Sequence, residues 1–439
     1  MTDHHARDRR LLRDLAHRVR EIAEEPVMEQ RRQRWRRHNA LQSDGPMVLC
    51  FPEGAWGEIL PDSALQCQDP TWRGWERGLR SRIYWWEQIN DDNTVEPWFD
   101  LGWKITVGDF GVDIPYHYGE NRGSYVWDAP IKDLDRDLDR LHLRSPSVDR
   151  AGTAREADQA GELLGDILPV RIHSTPWWTV GLTWEAIKLV GLQNLMLCMY
   201  DQPKGLHRLM AFLRDDMMNY LTWCEREGLL SPNTGPADYV GSGGVGYTDE
   251  LQKRSLEGEA PAEPIPSSAA RREARPPTAS QSARAVTLRE MWGFAESQET
   301  VGVSEKMFAE FILPYQLPLL EKFGLNCYGC CEPVDLRADA ILGHVPRLRR
   351  VSVAPLANQE KVARRLGRNY IFSRKPNPAH VCVGFNETAI RDDLRETLRV
   401  AGDLQLELIM KDTHTVEHQP DRLGRWVRIA REEIARTTA

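Results

Sequence analysis

Apolar residues follow two alternating patterns along this chain. Short apolar runs predict buried strands, and the longer segments between them repeat apolar residues at the spacing of an amphipathic helix. The predicted strands are MVLCF (47–51), WKITV (103–107), LPVRIHS (168–174), LREMWGF (288–294), LNCYG (325–329), LRRVSV (348–353), NYIFS (369–373) and LQLELIM (404–410). Helical segments separate the last five strands, which is typical of parallel strands joined by right-handed crossovers.

Two further segments complete the predicted architecture. The first 45 residues are rich in Arg and repeat apolar residues at helical spacing, which predicts an N-terminal helical extension (1–45). The segment 252–285 is rich in Pro, Ala, Ser and charged residues and nearly lacks large apolar ones, which predicts a disordered insertion. Because one decorated barrel can reach this length, we expect an α/β fold, a TIM (β/α)8 barrel over residues 46–439.

The amino-acid composition of the chain disfavours some classes of binding partner. The 439 residues include 57 Lys and Arg against 65 Asp and Glu, a formal net charge of −8. This acidic balance argues against nucleic acid or an anionic membrane as a partner. No apolar run of about 18 residues occurs, and the first ten residues lack the apolar core of a signal peptide. We therefore expect a cytoplasmic protein whose eight cysteines do not form a disulfide framework.

Polar residues follow the predicted C-terminal strands, where a barrel of parallel strands carries its chemistry. The residues after these strands are Cys330, Cys331 and Glu332, then Lys375 and Asn377, then Lys411, Asp412 and His414. Thiolate, imidazole and carboxylate groups are the ligands of a zinc site that leaves one position open for substrate. The pattern predicts a metal held by Cys330, Cys331 and His414. A nucleophilic cysteine and a hydrogen-bonded loop histidine are the alternatives.

The other candidate residues are assigned to catalysis and substrate binding. Glu332 suits a metal ligand or a general acid or base, since both need a carboxylate beside the metal. Lys375 and Lys411, with Asp412, are candidates for handling an anionic substrate group. The remaining substrate-binding candidates are His173, Trp177, Trp178, Trp292 and Asn377. The chain contains 15 Trp, and core packing is the alternative role for each of the three named here.

The glycine run GSGGVG (241–246) invites comparison with phosphate-binding loops. It lacks the spacing and the lysine of a phosphate-binding loop, and the dinucleotide-binding fingerprint is also absent. Its glycines are better suited to bringing the backbone close to a ligand or to a second strand.

The order of motifs within residues 288–437 resembles the uroporphyrinogen decarboxylase superfamily, which includes cobalamin-dependent methyltransferases. The matching segments are YGCCEP, PLAN, SRKPNP and KDTHT. The resemblance implies a TIM barrel with its active site at the C-terminal mouth, a zinc ion and a corrinoid protein as partner. The methyltransferase branch carries a His-x-Cys motif and a distant Cys. Here Tyr328-Gly329-Cys330 stands at the first position, and His414 lies near the second.

The resemblance and the strand-end residues support one leading hypothesis and two alternatives. The leading hypothesis is a methyltransferase-like enzyme that moves a methyl group between a small substrate and a corrinoid protein at a metal site. The first alternative is a metal-free decarboxylase or lyase that uses Lys375, Lys411 and Asp412 on a carboxylated substrate. The second is a non-catalytic barrel whose Trp-rich pocket binds an aromatic compound. A shared fold does not decide among them.

Overall fold

The computed structural model describes residues 3–119, 125–235, 238–251 and 285–438. The predicted insertion at 252–285 lies outside these ranges, apart from its last residue. The strands of the described residues are β1 (Met47–Cys50), β2 (Phe99–Leu101), β3 (Ile105–Thr106), β4 (Tyr116–Tyr118), β5 (Tyr125–Trp127), β6 (Ser147–Val148), β7 (Val170–Ile172), β8 (Tyr239–Val240), β9 (Gly244–Val245), β10 (Trp292–Ala295), β11 (Leu325–Tyr328), β12 (Leu348–Val353), β13 (Ile371–Arg374) and β14 (Gln405–Met410).

Helices occupy most of the segments between these strands. The α-helices are Asp3–Ala23, Pro26–Asn39, Trp56–Ile59, Pro70–Tyr84, Leu134–Asp137, Arg150–Leu164, Thr183–Val190, Leu192–Asp201, Pro203–Arg226, Glu305–Phe311, Leu313–Leu320, Ala338–His344, Gln359–Leu366, Ala379–Cys382, Glu387–Ala401 and Asp421–Thr438. A π-helical turn, Trp85–Ile89, extends the helix Pro70–Tyr84. Short 3-10 turns are Glu53–Ala55, Asp62–Ala64, Leu138–Arg140, Leu288–Glu290, Gln298–Thr300, Val334–Leu336 and Gly367–Asn369. Across the described ranges, no helix is both long and apolar enough to span a membrane.

Six parallel strands form the main sheet, in the order β1-β14-β13-β12-β11-β10. Strands β2 and β7 form a separate parallel pair. The predicted alternation of helices with parallel strands is therefore confirmed. Its closure into a barrel stays a prediction, because in the described residues no ladder joins the pair to the main sheet.

One predicted strand lies outside the two parallel sheets. The run WKITV contains β3, which pairs antiparallel with β6 rather than joining a parallel set. The neighbouring parallel strand is β2, whose three residues follow Pro97 and Trp98. An apolar run this short gives no readable period, so the pattern favoured the longer segment.

Alternation along β14 divides the main sheet into two faces. Leu406, Leu408 and Met410 belong to the large core shared with the helix Asp421–Thr438. Ile409 belongs instead to a smaller cluster with Trp35 of the helix Pro26–Asn39 and Val245 of β9. Successive strand residues point to opposite faces of a sheet, so Ile409 lies on the face opposite Leu408 and Met410. The helix Pro26–Asn39 and the glycine-rich segment cover that second face.

The second face carries a buried ion pair. Arg350 of β12 donates from Nε to Glu407 Oε1 of β14 at 2.8 Å, and both side chains are buried. His38 Nε2 lies 3.0 Å from Glu407 Oε2. A Cβ placed on Gly244 would lie 2.5 Å from Arg350 Cζ, so a larger residue would push the Arg350 guanidinium away from its present position. The run 241–246 thus brings the backbone against neighbouring strands.

Candidate active site

Cys330 lies at the centre of a buried cluster at the ends of β11 and β14. The chain leaves β11 through Gly329, whose positive φ of 91° favours glycine. Ser242 Oγ donates to Cys330 Sγ at 3.2 Å, and Lys411 Nζ lies 3.7 Å from the same sulfur. Cys330 is only 2% exposed. The glycine-rich segment and the last strand therefore meet at one thiol.

Cys331 makes Cys330 the more acidic of two adjacent thiols. Their sulfur atoms are 3.7 Å apart, and Cys331 is exposed. Their hydrogen bond is the largest influence on the pKa of Cys330. Lys411 and Ser242 also lower this pKa, whereas burial raises it. The pKa of Cys330 is about 7 as a result. The same hydrogen bond raises the pKa of Cys331. At neutral pH, Cys330 is therefore substantially thiolate while Cys331 keeps its proton.

Lys375 is a buried amine at the end of β13. Its Nζ donates to Ser373 Oγ at 2.5 Å and to the Ser373 carbonyl at 3.1 Å. Burial lowers the pKa of Lys375 to about 7, and the nearby cations Lys411 and Arg350 act in the same direction against Glu407. Near neutral pH, a large fraction of Lys375 is therefore the uncharged amine, which is the nucleophilic and basic form.

Two buried carboxyl groups, Glu332 and Glu296, lie beside this cluster. Glu332 accepts from the backbone N–H groups of Ser297 at 2.9 Å and Cys330 at 2.8 Å. Burial raises the pKa of Glu332. Burial raises the pKa of Glu296 well above its usual range, and the negative charges of neighbouring carboxylates add to this effect. Buried carboxyl groups with raised pKa values can hold a proton at neutral pH and donate it.

Sequence reasoning missed Glu296 and Ser242. Glu296 comes directly after β10, but the strand-end rule was applied only from the strand LNCYG (325–329) onward, so it did not select this residue. Glu296 Oε1 is buried and has no hydrogen-bond partner in the part of the chain that the structure describes. Ser242 reaches Cys330 across 88 positions of sequence, and no local pattern signals such a contact.

The expected metal ligands do not form a set. Cys330 and Cys331 are adjacent, but His414 is exposed and lies against Gly54, where an added Cβ would be 3.0 Å from Nδ1. The chain turns at Asp412, whose φ is +58°, and its N–H donates to Glu53 Oε2 at 2.8 Å. This turn directs the following residues toward the segment after β1. Within the described ranges, no group of three or more His, Cys, Asp or Glu side chains could hold a metal ion.

The other charged candidates lie at the edge of the cluster. Lys411 is buried, and its Nζ also lies 3.3 Å from Ser242 Oγ and 3.6 Å from Asp412 Oδ1. Asp412 Oδ2 is 3.7 Å from Cys331 Sγ. The carboxylate and the exposed thiol therefore mark the solvent side of the cluster.

The substrate-binding candidates are dispersed. Trp292 is buried and donates from Nε1 to the Gly246 carbonyl at 3.0 Å. It therefore packs in the core, which is the alternative to substrate binding. The ring of Trp177 is 5.9 Å from that of Phe323, and the ring of Trp178, which is exposed, is 5.6 Å from that of Phe294. Asn377 Oδ1 accepts from the Ala379 N–H at 3.0 Å, at the start of a short helix.

His173 belongs to a different part of the molecule. Its Nε2 lies 2.6 Å from Asp238 Oδ1. Burial lowers the pKa of His173, but the hydrogen bond to Asp238 and the charges of Asp238 and Asp100 together outweigh it, so the pKa is raised. The pair lines a cavity of about 540 Å³ together with residues such as Arg32 and Tyr247, and no member of the Cys330 cluster lines it.

A second cavity, of about 520 Å³, opens where β1 and β2 end. Its aromatic lining residues are Phe51, Trp75, Trp85, Trp98 and Phe99. The strand-end rule was applied to the C-terminal strands, and so it did not select these residues.

Comparisons with known proteins leave the site to be interpreted from its own geometry. No family model matches the chain, and no curated protein matches it. Among solved structures, a methyltransferase from Methanosarcina mazei is similar, with 11% sequence identity and a TM-score of 0.49. The match covers 92% of this chain and 98% of the other. At this identity and TM-score, the likeness carries no inference about chemistry.

Proposed function

We propose that this chain is a methyltransferase-like enzyme that moves a methyl group between a small substrate and a corrinoid protein. The proposal places the transfer at Cys330. The observation that supports it is the position of Cys330 Sγ, within 3.2 Å of Ser242 Oγ and 3.7 Å of Lys411 Nζ at the strand ends. A buried thiol with a cation and a hydroxyl donor beside it is an activated nucleophile.

The thiolate accounts for both halves of a methyl transfer. In the first half, its electron pair forms a sulfur–carbon bond, and the methyl donor keeps the pair of the bond that breaks. In the second half, the acceptor supplies the pair for a new bond to carbon, and sulfur leaves with its own pair. Lys411 and Ser242 stabilise the anionic sulfur as nucleophile and as leaving group. Glu296 or Glu332 supplies the proton that an oxygen or nitrogen leaving group needs.

A corrinoid protein, when bound, would supply a cobalt centre that carries the methyl group. A zinc ion does not fit the described donors, because Cys330 and Cys331 provide two sulfurs and His414 lies away from them. Structural and catalytic zinc sites use at least three protein ligands. The roles assigned to Cys330, Lys411 and Glu332 therefore involve no metal.

Methylcobalamin alone is the probe that tests the proposal. After incubation at pH 7, we expect peptide mass spectrometry to find one methyl group on Cys330 and loss of the methylcobalamin absorbance. Cys330→Ser should abolish both signals. Cys327→Ser is the matched control, because burial raises the pKa of that thiol to about 11. No methyl group on Cys330, or equal labelling in Cys330→Ser, would overturn the proposal.

A second candidate, a metal-free decarboxylase or lyase, is favoured by Lys375. An uncharged buried lysine near other cations can attack a carbonyl carbon, lose water and form an imine. The imine then accepts the electron pair that remains on carbon when carbon dioxide leaves. Acetoacetate with borohydride tests this: we expect a reduced adduct on Lys375 that is lost in Lys375→Met. The absence of an adduct would exclude this chemistry for acetoacetate, and labelling of Lys361 to the same extent would show nonspecific reaction.

A further inference from the structure

A cavity of about 390 Å³ is lined by residues of the helices Pro26–Asn39 and Asp421–Thr438 and by residues near Asn90. Three of its lining residues are arginines, Arg31 and Arg34 of the first helix and Arg431 of the second. Arg31 and Arg34 are three positions apart, so they are neighbours on the helix surface. The volume falls in the usual range for small-molecule pockets. The fold therefore brings guanidinium groups from near both ends of the chain to one cavity.

A single carboxylate oxygen faces two of these guanidinium groups. Among the described residues, Asp92 is the one acidic residue that lines the cavity. Arg34 Nη1 and Arg431 Nη2 each lie 3.3 Å from Asp92 Oδ1, just beyond the usual hydrogen-bond distance. Asp92 Oδ2 instead accepts from the Val48 N–H at 2.8 Å. The two arginines thus share one oxygen atom, and neither uses two N–H groups on the two carboxylate oxygens.

Arg31 adds a third positive charge to the same cavity. Its Nη1 donates to the Asn93 carbonyl at 2.7 Å, and its Nη2 donates to Asn90 Oδ1 at 2.8 Å. Its Cζ lies 4.9 Å from the centre of the Trp86 ring. These partners are all neutral groups, so the contacts of Arg31 do not balance its charge.

The positive charges around this cavity outnumber the negative ones. Burial is the main cause that lowers the pKa of Arg31, and the charges of Asp91 and Asp92 act against it. The charges of Arg431 and Arg34 lower this pKa further, which shows that the three guanidinium groups repel one another. Even with Asp91 counted, three arginines face two aspartates. An anion in the cavity would neutralise the excess.

Arg34 and Arg431 keep N–H groups that a ligand can reach. Their side chains are 39% and 40% exposed. A guanidinium group has five N–H donors. The described contacts use two of these donors in Arg34, on Asp92 Oδ1 and the Pro46 carbonyl, and one in Arg431. Most of the donors of both side chains are therefore available to an anion.

The arrangement suits an anion with several oxygen atoms. A guanidinium group binds two oxygens side by side, and phosphate has enough oxygens for two such groups, whereas a carboxylate has enough for one. Because Arg34 and Arg431 contact the same oxygen of Asp92, one compact anion beside it can reach both. We propose that this cavity binds a phosphate group, as the free ion or as part of a small ester, through Arg34 and Arg431.

Asp92 acts against this anion, and its charge provides a test. The carboxylate holds both arginines near the cavity but repels a phosphate group. Asp92→Asn keeps an oxygen for the Val48 N–H and removes the negative charge. We therefore expect the folded variant to bind phosphate severalfold more tightly than the wild type.

Inorganic phosphate and glycerol 3-phosphate are the probes, titrated by calorimetry at one ionic strength, since salt screens exposed charges. We expect saturable binding of phosphate to the wild-type chain, and binding of acetate at least tenfold weaker. Tighter binding of glycerol 3-phosphate than of phosphate would identify an ester as the ligand, and the opposite order would identify the free ion.

Two arginine variants test the proposed contacts. Arg34→Met and Arg431→Met should each weaken phosphate binding about ten- to a hundredfold, the usual value of a hydrogen bond to a charged group. Arg37→Met and Arg428→Met are the matched controls, because each lies three positions away on the same helix and outside the lining. Both controls should bind phosphate as the wild type does. Circular dichroism of each variant checks that it is folded.

Four results would overturn the inference. They are no saturable binding of phosphate by the wild type, binding of acetate as tight as that of phosphate, equal weakening in the control variants, and weaker binding in a folded Asp92→Asn variant. Cys330→Ser should bind phosphate normally, because no residue of the Cys330 cluster is among the described residues that line this cavity. Failure of Cys330 methylation therefore leaves the phosphate result standing.

Discussion

Cys330 Sγ and Lys411 Nζ lie 3.7 Å apart although 81 positions separate the two residues in sequence. Each residue closely follows a strand of the main sheet, and β12 and β13 lie between those strands. The fold, rather than any local motif, therefore places the cation beside the thiol.

The ionisation of Cys330 depends on its neighbours. The thiolate absorbance of the wild type, measured against Cys330→Ser, should rise with a midpoint near pH 7. Cys331→Ala removes the largest stabilising influence and should move the midpoint to higher pH, and Lys411→Gln should do the same. Lys361→Gln, at an exposed lysine, should leave the midpoint where it is. A midpoint near the ordinary value for cysteine in the wild type would contradict the structure.

Lys375 should make folding stability depend on pH. Its pKa is about 7 in the folded chain against an ordinary value of 10.5, so the unfolded chain binds more protons between these values. The free energy of unfolding contributed by this group therefore rises with pH across that window, by roughly 3–5 kcal/mol in total. Denaturant titrations at pH 6 and pH 9 check this. Relative to Lys375→Met, the wild type should gain stability as the pH rises, and a constant difference would contradict the burial of Lys375 as an amine.

The ion pair between Arg350 and Glu407 should be far more sensitive than surface pairs. Arg350→Met leaves the Glu407 carboxylate buried without its main partner and should cost roughly 3–5 kcal/mol in the free energy of unfolding. Arg399→Met, at an exposed pair with Glu396, should cost less than about 1 kcal/mol. Denaturant unfolding of both variants makes the comparison. Equal costs would show that the interior pair is not buried as described.

The metal content of the purified protein decides between the zinc site predicted from the sequence and the observed geometry, which offers no three-ligand set among the described residues. Because the described donors do not form a three-ligand set, we expect a chelator to leave the thiolate titration of Cys330 unchanged. Elemental analysis of the wild type and of Cys330→Ser is the second measurement. Near-stoichiometric zinc in the wild type that disappears in Cys330→Ser would support the sequence-based prediction and overturn this expectation.

Much of the fold could be predicted because long apolar runs have a clear period. The run LRRVSV matches β12 at both ends, and LQLELIM differs from β14 by one residue. Strand β2 could not be read, since three residues show no period. The pairing of β3 with β6 depends on contacts between segments that are distant in sequence.

The site was predictable in part, for a similar reason. The strand-end rule selected Cys330, Lys375 and Lys411, because parallel strands place their C-terminal ends together. The turn at Asp412 could not be predicted from this rule, and it places His414 away from Cys330 and Cys331. The rule also could not reveal Ser242, whose contact depends on how the glycine-rich segment packs on the sheet.

The position of Lys411 after the final strand has a consequence for biosynthesis. The ribosome synthesises the chain from its N-terminus, so Cys330 leaves the ribosome before Lys411 does. Until β14 adds to the sheet, the thiol lacks the cation that helps to ionise it, and its pKa is higher than in the complete chain. A nascent or truncated chain without β14 therefore carries a less acidic thiol at Cys330, and the thiolate absorbance of Cys330 would report that the last strand has joined the sheet.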